Sequence, residues 1–278
     1  MWLALLLLAA TSVTPLPTNQ DSGSAMCGAD QLTWSNSRSF NRDVQGSAMV
    51  QATSPSGVEL FQLDQSLGPG ETVIPLWCGD LLGDGSQALA FETFSGGAHC
   101  CFSVRVVPLT PGASDLLDAD LGNGGLGQPQ QLDGDGPLEL VGASDVFAYF
   151  DDLSFAASPF MPLFYVYDGQ QYVEATRQFP DQIQARIDQA NDGLAQAVAR
   201  PLAQNVPERF RYQEQQSIAL RLYGLHVLLG DADSALPDIE SRVAPPVASW
   251  LEQNTPAAEA AIASVYDLSS PTSLSPSK

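Results

Sequence analysis

Basic residues are scarce in this sequence. The chain has 11 lysine and arginine residues against 32 aspartate and glutamate residues, which gives a formal net charge of −21. Nucleic-acid-binding proteins neutralise phosphates with clustered lysine and arginine, so this balance argues against a nucleic-acid partner. Charged residues make up only 15% of the chain, and Lys278 is the only lysine. The negative charge therefore reflects a shortage of basic groups as much as an excess of acidic ones.

Histidine and the common catalytic signatures are also sparse. The only histidines are His99 and His226, and the patterns G-x-S-x-G, H-E-x-x-H and the phosphate-binding P-loop are absent. These absences remove the usual sequence indications of a serine hydrolase, a zinc protease or a nucleotidase. Acids are abundant enough for a glycosidase-type carboxylate pair, but nothing singles out one pair. The sequence therefore predicts a protein that is not an enzyme.

Long apolar runs are limited to the beginning of the chain. Residues Trp2 to Ala10 are apolar and small residues follow, which is typical of a secretion signal and too short to span a membrane. We expect cleavage between Ala10 and Gln20. The residues before Cys27 lack the aliphatic position of a lipoprotein signal, so lipidation is not expected. These features predict a secreted or periplasmic protein with no membrane span after cleavage.

Two loops rich in aspartate and glycine occupy the middle of the chain. The first is residues 80–85 (DLLGDG) and the second is residues 131–136 (QLDGDG), and both approximate D-x-D-G-D-G. Alternate positions of such a loop turn oxygen-bearing side chains inward, and calcium takes six to eight oxygen ligands. The flanking segments have the composition of strands rather than the helices that an EF-hand requires. The pattern therefore indicates calcium-type loops between strands.

The loops and the strands after them resemble the FG-GAP/VCBS-type repeats of integrin-like β-propellers, over residues 78–176. In that family the Asp/Gly loop joins two strands of a blade and often holds calcium. The resemblance implies calcium ligands in both loops: Asp133, Asp135, Glu139 and Gln131 in the second, and Asp80 and Asp84 in the first. Leu82 and Gln131 stand where the family has aspartates, so each loop has lost a carboxylate. The alternative is two polar turns without metal, which we favour for the first loop.

The repeat spacing limits the fold. Gly83 and Gly134 are 51 positions apart, which is a plausible blade period, but only two convincing copies exist. A third candidate, residues 118–124, has the composition without the register. A closed propeller of four or more blades does not fit in the strand-like region. We therefore expect an α+β fold, in which an open antiparallel sheet assembly resembling partial propeller blades precedes a small C-terminal helical bundle.

The order of composition predicts five segments. They are a signal peptide at 1–20, a linker or N-terminal segment at 21–47, a β domain with the Asp/Gly loops at 48–178, a helical region at 179–267 and a disordered tail at 268–278. Within the helical region, apolar residues recur at helical spacing from Ile183 to Val198, and Gly230 is expected to end the second helix. Pro245 and Pro246 are expected to break or kink a third helix.

The chain has four cysteines: Cys27, Cys78, Cys100 and Cys101. An even number in an exported chain predicts two disulfides, for which three connectivities exist. Adjacent residues on a strand point to opposite faces, so we expect Cys78 to pair with one member of the adjacent pair and Cys27 with the other. The alternative is that His99 and the two adjacent cysteines form a copper or zinc site or a nucleophilic pair. Adjacent side chains on a strand diverge, so they do not converge on one metal ion. An oxidising compartment also disfavours free thiolates.

Together these features predict an exported, non-catalytic protein. Its calcium-loop β repeats would have a structural role or would contact an envelope protein or a glycan. The competing hypothesis is an envelope hydrolase, or a metal or redox enzyme that uses the His-Cys-Cys step or a carboxylate pair.

Overall fold

The computed structural model describes residues 13–39, 44–97, 101–134, 136–202, 206–207 and 210–269. The core of the expected secretion signal and the expected disordered tail from residue 270 lie outside these residues. The described strands are β1 (Val13–Pro15), β2 (Ser22–Cys27), β3 (Asp30–Ser37), β4 (Gly46–Thr53), β5 (Glu59–Leu67), β6 (Thr72–Gly79), β7 (Ala88–Phe94), β8 (Phe102–Pro108), β9 (Leu117–Gly122), β10 (Gly125–Leu126), β11 (Leu140–Ser144), β12 (Met161–Tyr167) and β13 (Tyr172–Glu174). The described helices are α1 (Pro180–Ala199), α2 (Gln213–Leu229), α3 (Ala232–Arg242) and α4 (Pro245–Ala263).

The strands form three sheets, in each of which chain order is also spatial order. The orders are β2-β3-β4-β5, β1-β6-β7-β8-β9 and β10-β11-β12-β13. The pairs in the first two sheets are antiparallel, so each contains a four-stranded meander of the kind that builds a propeller blade. Within the described residues none of the sheets closes on itself. The prediction of an α+β fold with open antiparallel sheets and C-terminal helices is confirmed.

The chain divides into two compact units. The first comprises residues up to 142 together with 165–173, and the second comprises 143–164 together with the chain from 174 onward. The predicted boundary at residue 178 misses this exchange of segments. Segment 143–164 belongs with the helices, since the side-chain amide of Gln213 donates to the carbonyl of Asp152 at 2.9 Å and the indole of Trp250 donates to Asp151 at 2.6 Å.

The core of the first unit lies between its first two sheets. Alternate residues of β3 point into it, and Leu32 and Trp34 are buried. The segment 21–47, predicted as a linker, therefore contains the two strands β2 and β3, and that prediction is wrong. The remaining core residues are Leu16, Cys27, Ala48, Val50, Ala52, Leu67, Val73, Cys78, Leu89, Phe91, Val107 and Leu109.

Strand β1 belongs to the folded unit as well. Val13, Thr14 and Pro15 pair with the C-terminal end of β6, and Leu16 is buried in the core. Part of the predicted signal segment, which extends to residue 20, therefore lies within a strand of the folded unit. Cleavage before Val13 would keep this strand whole in the mature chain. Cleavage at a later position in the expected interval would remove part or all of it.

Helix periodicity describes the second unit well. Helix α1 begins at Pro180 as predicted, although Ala197 is buried in its last turn while Val198 is exposed. Helix α2 ends at Gly230, whose φ of 83° is the left-handed conformation that favours glycine. Pro245 and Pro246 begin α4 instead of breaking a helix. Proline has no backbone N–H, and the first turn tolerates this because N–H groups there have no partner within the helix.

Candidate functional site

The first Asp/Gly loop connects β6 to β7 and closes around one buried carboxylate. Asp80 is 5% exposed, and its two oxygens accept hydrogen bonds from the backbone N–H groups of Gly83 at 2.8 Å and Gly85 at 2.9 Å. Both glycines have positive φ, which turns their amides toward the carboxylate. Each oxygen of Asp80 therefore already accepts an amide of the loop, which compensates the buried charge.

The other acid of this loop, Asp84, is exposed and serves a local turn. Its Oδ1 accepts hydrogen bonds from the backbone N–H of Ser86 at 2.8 Å and from the Ser86 hydroxyl at 2.6 Å. These bonds lower the pKa of Asp84 because they stabilise the ionised form. Asp80 and Asp84 thus accept their hydrogen bonds from different residues of the loop: Gly83 and Gly85 for Asp80, and Ser86 for Asp84.

The second loop lies between β10 and β11 and is built around Glu139. A pair of backbone hydrogen bonds joins Gln130 and Glu139 across the base of the loop, at 2.9 and 2.8 Å. The Glu139 side chain is 3% exposed and its Oε2 accepts the backbone N–H of Leu132 at 2.6 Å. This places a buried carboxylate directly beneath the residues of the loop.

Burial is the main cause of a raised pKa at Glu139, and the nearby charge of Asp133 raises it further. The Leu132 amide opposes this shift because it stabilises the carboxylate. Two acids thus lie close together in a loop where one of them is costly to ionise. Opposite charge placed between them would relieve both the burial cost and the repulsion.

The predicted ligand set is only partly described. Asp133 and Gln131 are exposed on the second loop, where the Gln131 amide nitrogen donates to the carbonyl of Gly136 at 3.3 Å. Asp135 lies outside the described residues. Among the residues that are described, no group of three or more His, Cys, Asp or Glu side chains is arranged to hold a metal ion. In the third candidate segment, 118–124, the acids Asp118 and Asp120 lie on strand β9 rather than in a loop.

The two loops are joined to each other through buried backbone. The N–H of Leu138 donates to the carbonyl of Leu81 at 2.8 Å, and Leu81 is fully buried. The hydroxyl of Tyr172 donates to the carbonyl of Leu138 at 2.9 Å. Burial first and the charge of Glu139 second raise the pKa of Tyr172, so the phenol remains a donor. Sequence reasoning missed Tyr172, although it is the aromatic residue of the strand that follows the Asp168–Gly169 turn.

A further buried acid, Glu92, lies on β7. It is 8% exposed, and its Oε1 accepts the backbone N–H of Leu126 on β10 at 2.9 Å. Burial raises its pKa, and the Leu126 amide partly opposes that shift. The bond ties β10, the strand before the second loop, to the sheet that carries the first. An acid within an otherwise apolar strand was the only sequence signal for it.

The structure contradicts the predicted cysteine pairing. Cys101 is disulfide-bonded, Cys27 and Cys78 are free and buried, and Cys100 lies outside the described residues. Strand register explains the error. Cys78 pairs with Leu89 at one end of β7, whereas Cys101 directly precedes Phe102, which pairs with Phe94 at the other end. Five residues of antiparallel strand span about 17 Å, which no disulfide can bridge.

The histidines do not form a described site. His99 lies outside the described residues, so the His-Cys-Cys step is not described as a whole. His226 lies on α2, where its Nδ1 is 2.9 Å from a carboxylate oxygen of Asp231 just beyond the helix end. Sequence analysis assigned no chemistry to His226, and this position agrees with a local hydrogen bond.

A groove of about 380 Å³ in the first unit brings charged residues together without leaving their side chains unpaired. Its acids and base are Glu59, Asp115 and Arg105. Two nitrogens of Arg105 contact one Asp115 oxygen at 2.7 and 2.6 Å, and Glu59 accepts a hydrogen bond from Gln51 at 3.1 Å. The guanidinium also lies 5.5 Å from the ring centre of Phe91. These contacts are those of a structural ion pair.

Comparison with known proteins gives one partial likeness. A probable thylakoid lumen protein of Synechocystis is 37% identical to this chain over 75 residues. The match covers 26% of this chain and 22% of the relative, so the chain spans about a fifth of the relative's length. No protein-family profile and no solved structure matches the chain. No helix within the described part of the chain is long and apolar enough to cross a membrane.

The two acids of the first loop provide a matched pair of substitutions. Asp80→Ala removes a buried acceptor of two amide hydrogen bonds and should lower the free energy of unfolding by about 3 kcal/mol, since bonds to charged groups contribute about 1.5–3 kcal/mol each. Asp84→Ala changes an exposed turn and should cost less than about 1 kcal/mol. Urea unfolding in the presence of a calcium chelator measures both. Equal losses would show that Asp80 does not hold the loop.

The raised pKa of Glu92 predicts a pH-dependent effect of Glu92→Gln. A carboxyl whose pKa is higher in the folded state stabilises the fold below its unfolded pKa, and that contribution is lost as pH rises through the folded pKa. Glutamine stays neutral and can keep the bond to Leu126. The variant should therefore gain stability relative to the natural protein as the pH rises from 4 to 8.

The exposed Glu59→Gln serves as the control for this experiment, because it removes the same charge from the surface. Its difference from the natural protein should change little over the same pH range. Urea midpoints at several pH values, with chelator present, give both profiles. A Glu92→Gln profile parallel to that of the natural protein would contradict the assignment.

Proposed function

We propose that this is an extracytoplasmic, non-catalytic protein whose second Asp/Gly loop binds calcium, and whose β-rich unit contacts an envelope protein or a glycan. The buried Glu139 carboxylate beside Asp133 carries the proposal. A cation in this loop would stabilise the fold and fix the loop surface. The role is therefore structural and binding rather than catalytic.

The chemistry of the available donors supports calcium. The side chains in and below the loop that can bind a cation offer oxygen only: the carboxylates of Asp133, Asp135 and Glu139 and the amide of Gln131. Hard cations prefer such ligands, and calcium tolerates irregular geometry. One family aspartate is replaced by Gln131, so micromolar or weaker affinity is expected, because affinity falls with ligand charge. When bound, the ion would offset the repulsion between Glu139 and Asp133.

The first loop has a supporting role in this proposal. The oxygens of Asp80 already accept two backbone hydrogen bonds, and Asp84 is bonded to Ser86. Both acids are therefore compensated within the loop without a cation. The first loop instead positions the second, because Leu81 accepts the Leu138 hydrogen bond.

Two observations support the extracytoplasmic location. The apolar segment Trp2 to Ala10 has the character of a secretion signal. The partial relative is named a probable thylakoid lumen protein, and the lumen is itself an extracytoplasmic compartment. We therefore place this protein in the periplasm, in a lumen or outside the cell.

The structure gives the enzyme hypothesis little support. Cys101 is disulfide-bonded, so it is not a thiolate nucleophile or metal ligand in this state. The acids of the groove are held by Arg105 and Gln51 rather than converging on open space. A partner-binding role fits a surface whose charges are fixed in this way.

Calcium titration tests the central part of the proposal. If Kd is about 10 µM, 1 mM calcium should raise the unfolding temperature by about 5–10 °C, because it binds the folded state only. Glu139→Gln and Asp135→Ala should abolish this rise. Affinity should also fall as the pH is lowered, since the raised pKa of Glu139 lets protons compete with the ion.

Asp84→Asn is the matched control, because it alters the equivalent position of the first loop. It should keep the calcium response of the natural protein. Loss of the response in Asp84→Asn but not in Glu139→Gln would move the site to the first loop. No response to millimolar calcium in the natural protein would rule out the calcium proposal.

The partner-binding role needs a separate measurement. The purified protein should retain a protein or glycan from the native envelope fraction in calcium and release it in chelator. Glu139→Gln should retain less of it than the natural protein does in calcium, and both should release it in chelator. Equal retention by the natural protein and the variant would show that the loop does not organise the binding surface.

A further inference from the structure

Two thiols lie side by side in the core of the first unit, one from each facing sheet. Cys27 ends β2 and Cys78 lies near the end of β6, and each is only 1% exposed. The sulfur of Cys78 lies 3.9 Å from the carbonyl oxygen of Met26, and the sulfur of Cys27 lies 3.9 Å from that of Ala88. Each thiol therefore contacts the backbone next to its counterpart.

The titration behaviour of the pair reflects this contact. A hydrogen bond to Cys78, together with burial, raises the pKa of the Cys27 thiol. The same hydrogen bond lowers the pKa of Cys78. These opposite shifts are the ones that contact between two buried thiols produces, and they agree with the geometry.

We propose that Cys27 and Cys78 become joined by a disulfide that links the two facing sheets in the exported protein. This inference rests on the extracytoplasmic location proposed above. Cys101 is already disulfide-bonded and lies at the far end of β7, so it does not compete for either sulfur. Among the cysteines that the structure describes, each of these two buried thiols has the other as its free partner, and an oxidising compartment favours the bond.

The oxidant is a disulfide, either of a small molecule or of an exchange protein. The Cys78 thiolate attacks one sulfur of that disulfide and releases its other half as a thiolate. Cys27 then loses its proton, its sulfur attacks the Cys78 sulfur, and the second half leaves as a thiolate. Two cysteine thiols are oxidised to one cystine, and the oxidant is reduced to two thiols.

Burial sets when this exchange can occur. Both sulfurs are enclosed by the core of the two sheets, so the oxidant reaches them before the sheets close or during opening of the unit. Once formed, the bond is shielded from reductants by the same core. We therefore expect a stable structural crosslink rather than a rapidly cycling redox centre.

The test uses the full chain in two preparations. One is isolated from the export compartment, and the other is refolded in a buffer of reduced and oxidised glutathione. Free thiols are alkylated under denaturing conditions, and peptides are mapped without reduction. We expect a linked pair of peptides containing Cys27 and Cys78 in both preparations. Alkylation of both residues after oxidative refolding, or linkage of either to Cys100 or Cys101, would overturn the pairing.

The two preparations separate this inference from the proposed location. The peptides could be linked after refolding while both thiols are free in the cellular preparation. That result would show that the two sulfurs are close enough to bond. It would contradict both the bond in the cell and the proposed export. Calcium binding plays no part in the readout. The result is therefore independent of the fate of the calcium proposal.

Stability provides the second measurement. The bond closes a loop of about 50 residues, so the oxidised protein should unfold about 10 °C above the reduced one. The double variant Cys27→Ala/Cys78→Ala should lose most of this difference between oxidised and reduced states, and any remainder belongs to the disulfide of Cys101. An unchanged difference between oxidised and reduced states in the double variant would assign the effect to the other cysteines and contradict the proposal.

Discussion

Buried carboxylates in the first unit depend on hydrogen bonds from backbone amides. Asp80, Glu92 and Glu139 are each no more than 8% exposed, and each accepts at least one backbone N–H within 3 Å. A buried carboxylate without such bonds would cost several kcal/mol, so each acid requires the segment that supplies its amide to remain in place. The donors are Gly83, Gly85, Leu126 and Leu132, which belong to the two loops or to the strand before the second loop. Loop shape and strand position are therefore fixed by the same bonds.

The same sequence motif is used in two different ways. In the first loop two amides satisfy one aspartate, and the loop is complete within the polypeptide. In the second loop the glutamate accepts the Leu132 amide, burial raises its pKa, and the charge of Asp133 raises it further. The two loops therefore differ in how their buried acid is compensated. The loop that keeps a second acid near the buried one retains a reason to attract a cation.

What the sequence could predict follows from how local each signal is. The Asp/Gly loops, the start of α1 and the left-handed Gly230 depend on a few neighbouring residues, and the structure has them where they were expected. The strands β2 and β3 were missed because their outward-facing residues are mostly Ser, Thr, Gln and Asn, a composition typical of linkers. The cysteine pairing and the roles of Glu92 and Tyr172 depend on strand register and on contacts distant in sequence. No local pattern contains that information.

The short strand β1 protects an edge of its sheet. Its three residues cover the end of β6, whose amides and carbonyls would otherwise face solvent in a row. Unpaired strand edges recruit further strands and promote aggregation, and natural sheets avoid leaving them open. A mature or recombinant chain that starts after Pro15 would keep the core residues of β6 but lose this cover. The position of the first residue therefore affects solubility and self-association, and not only export.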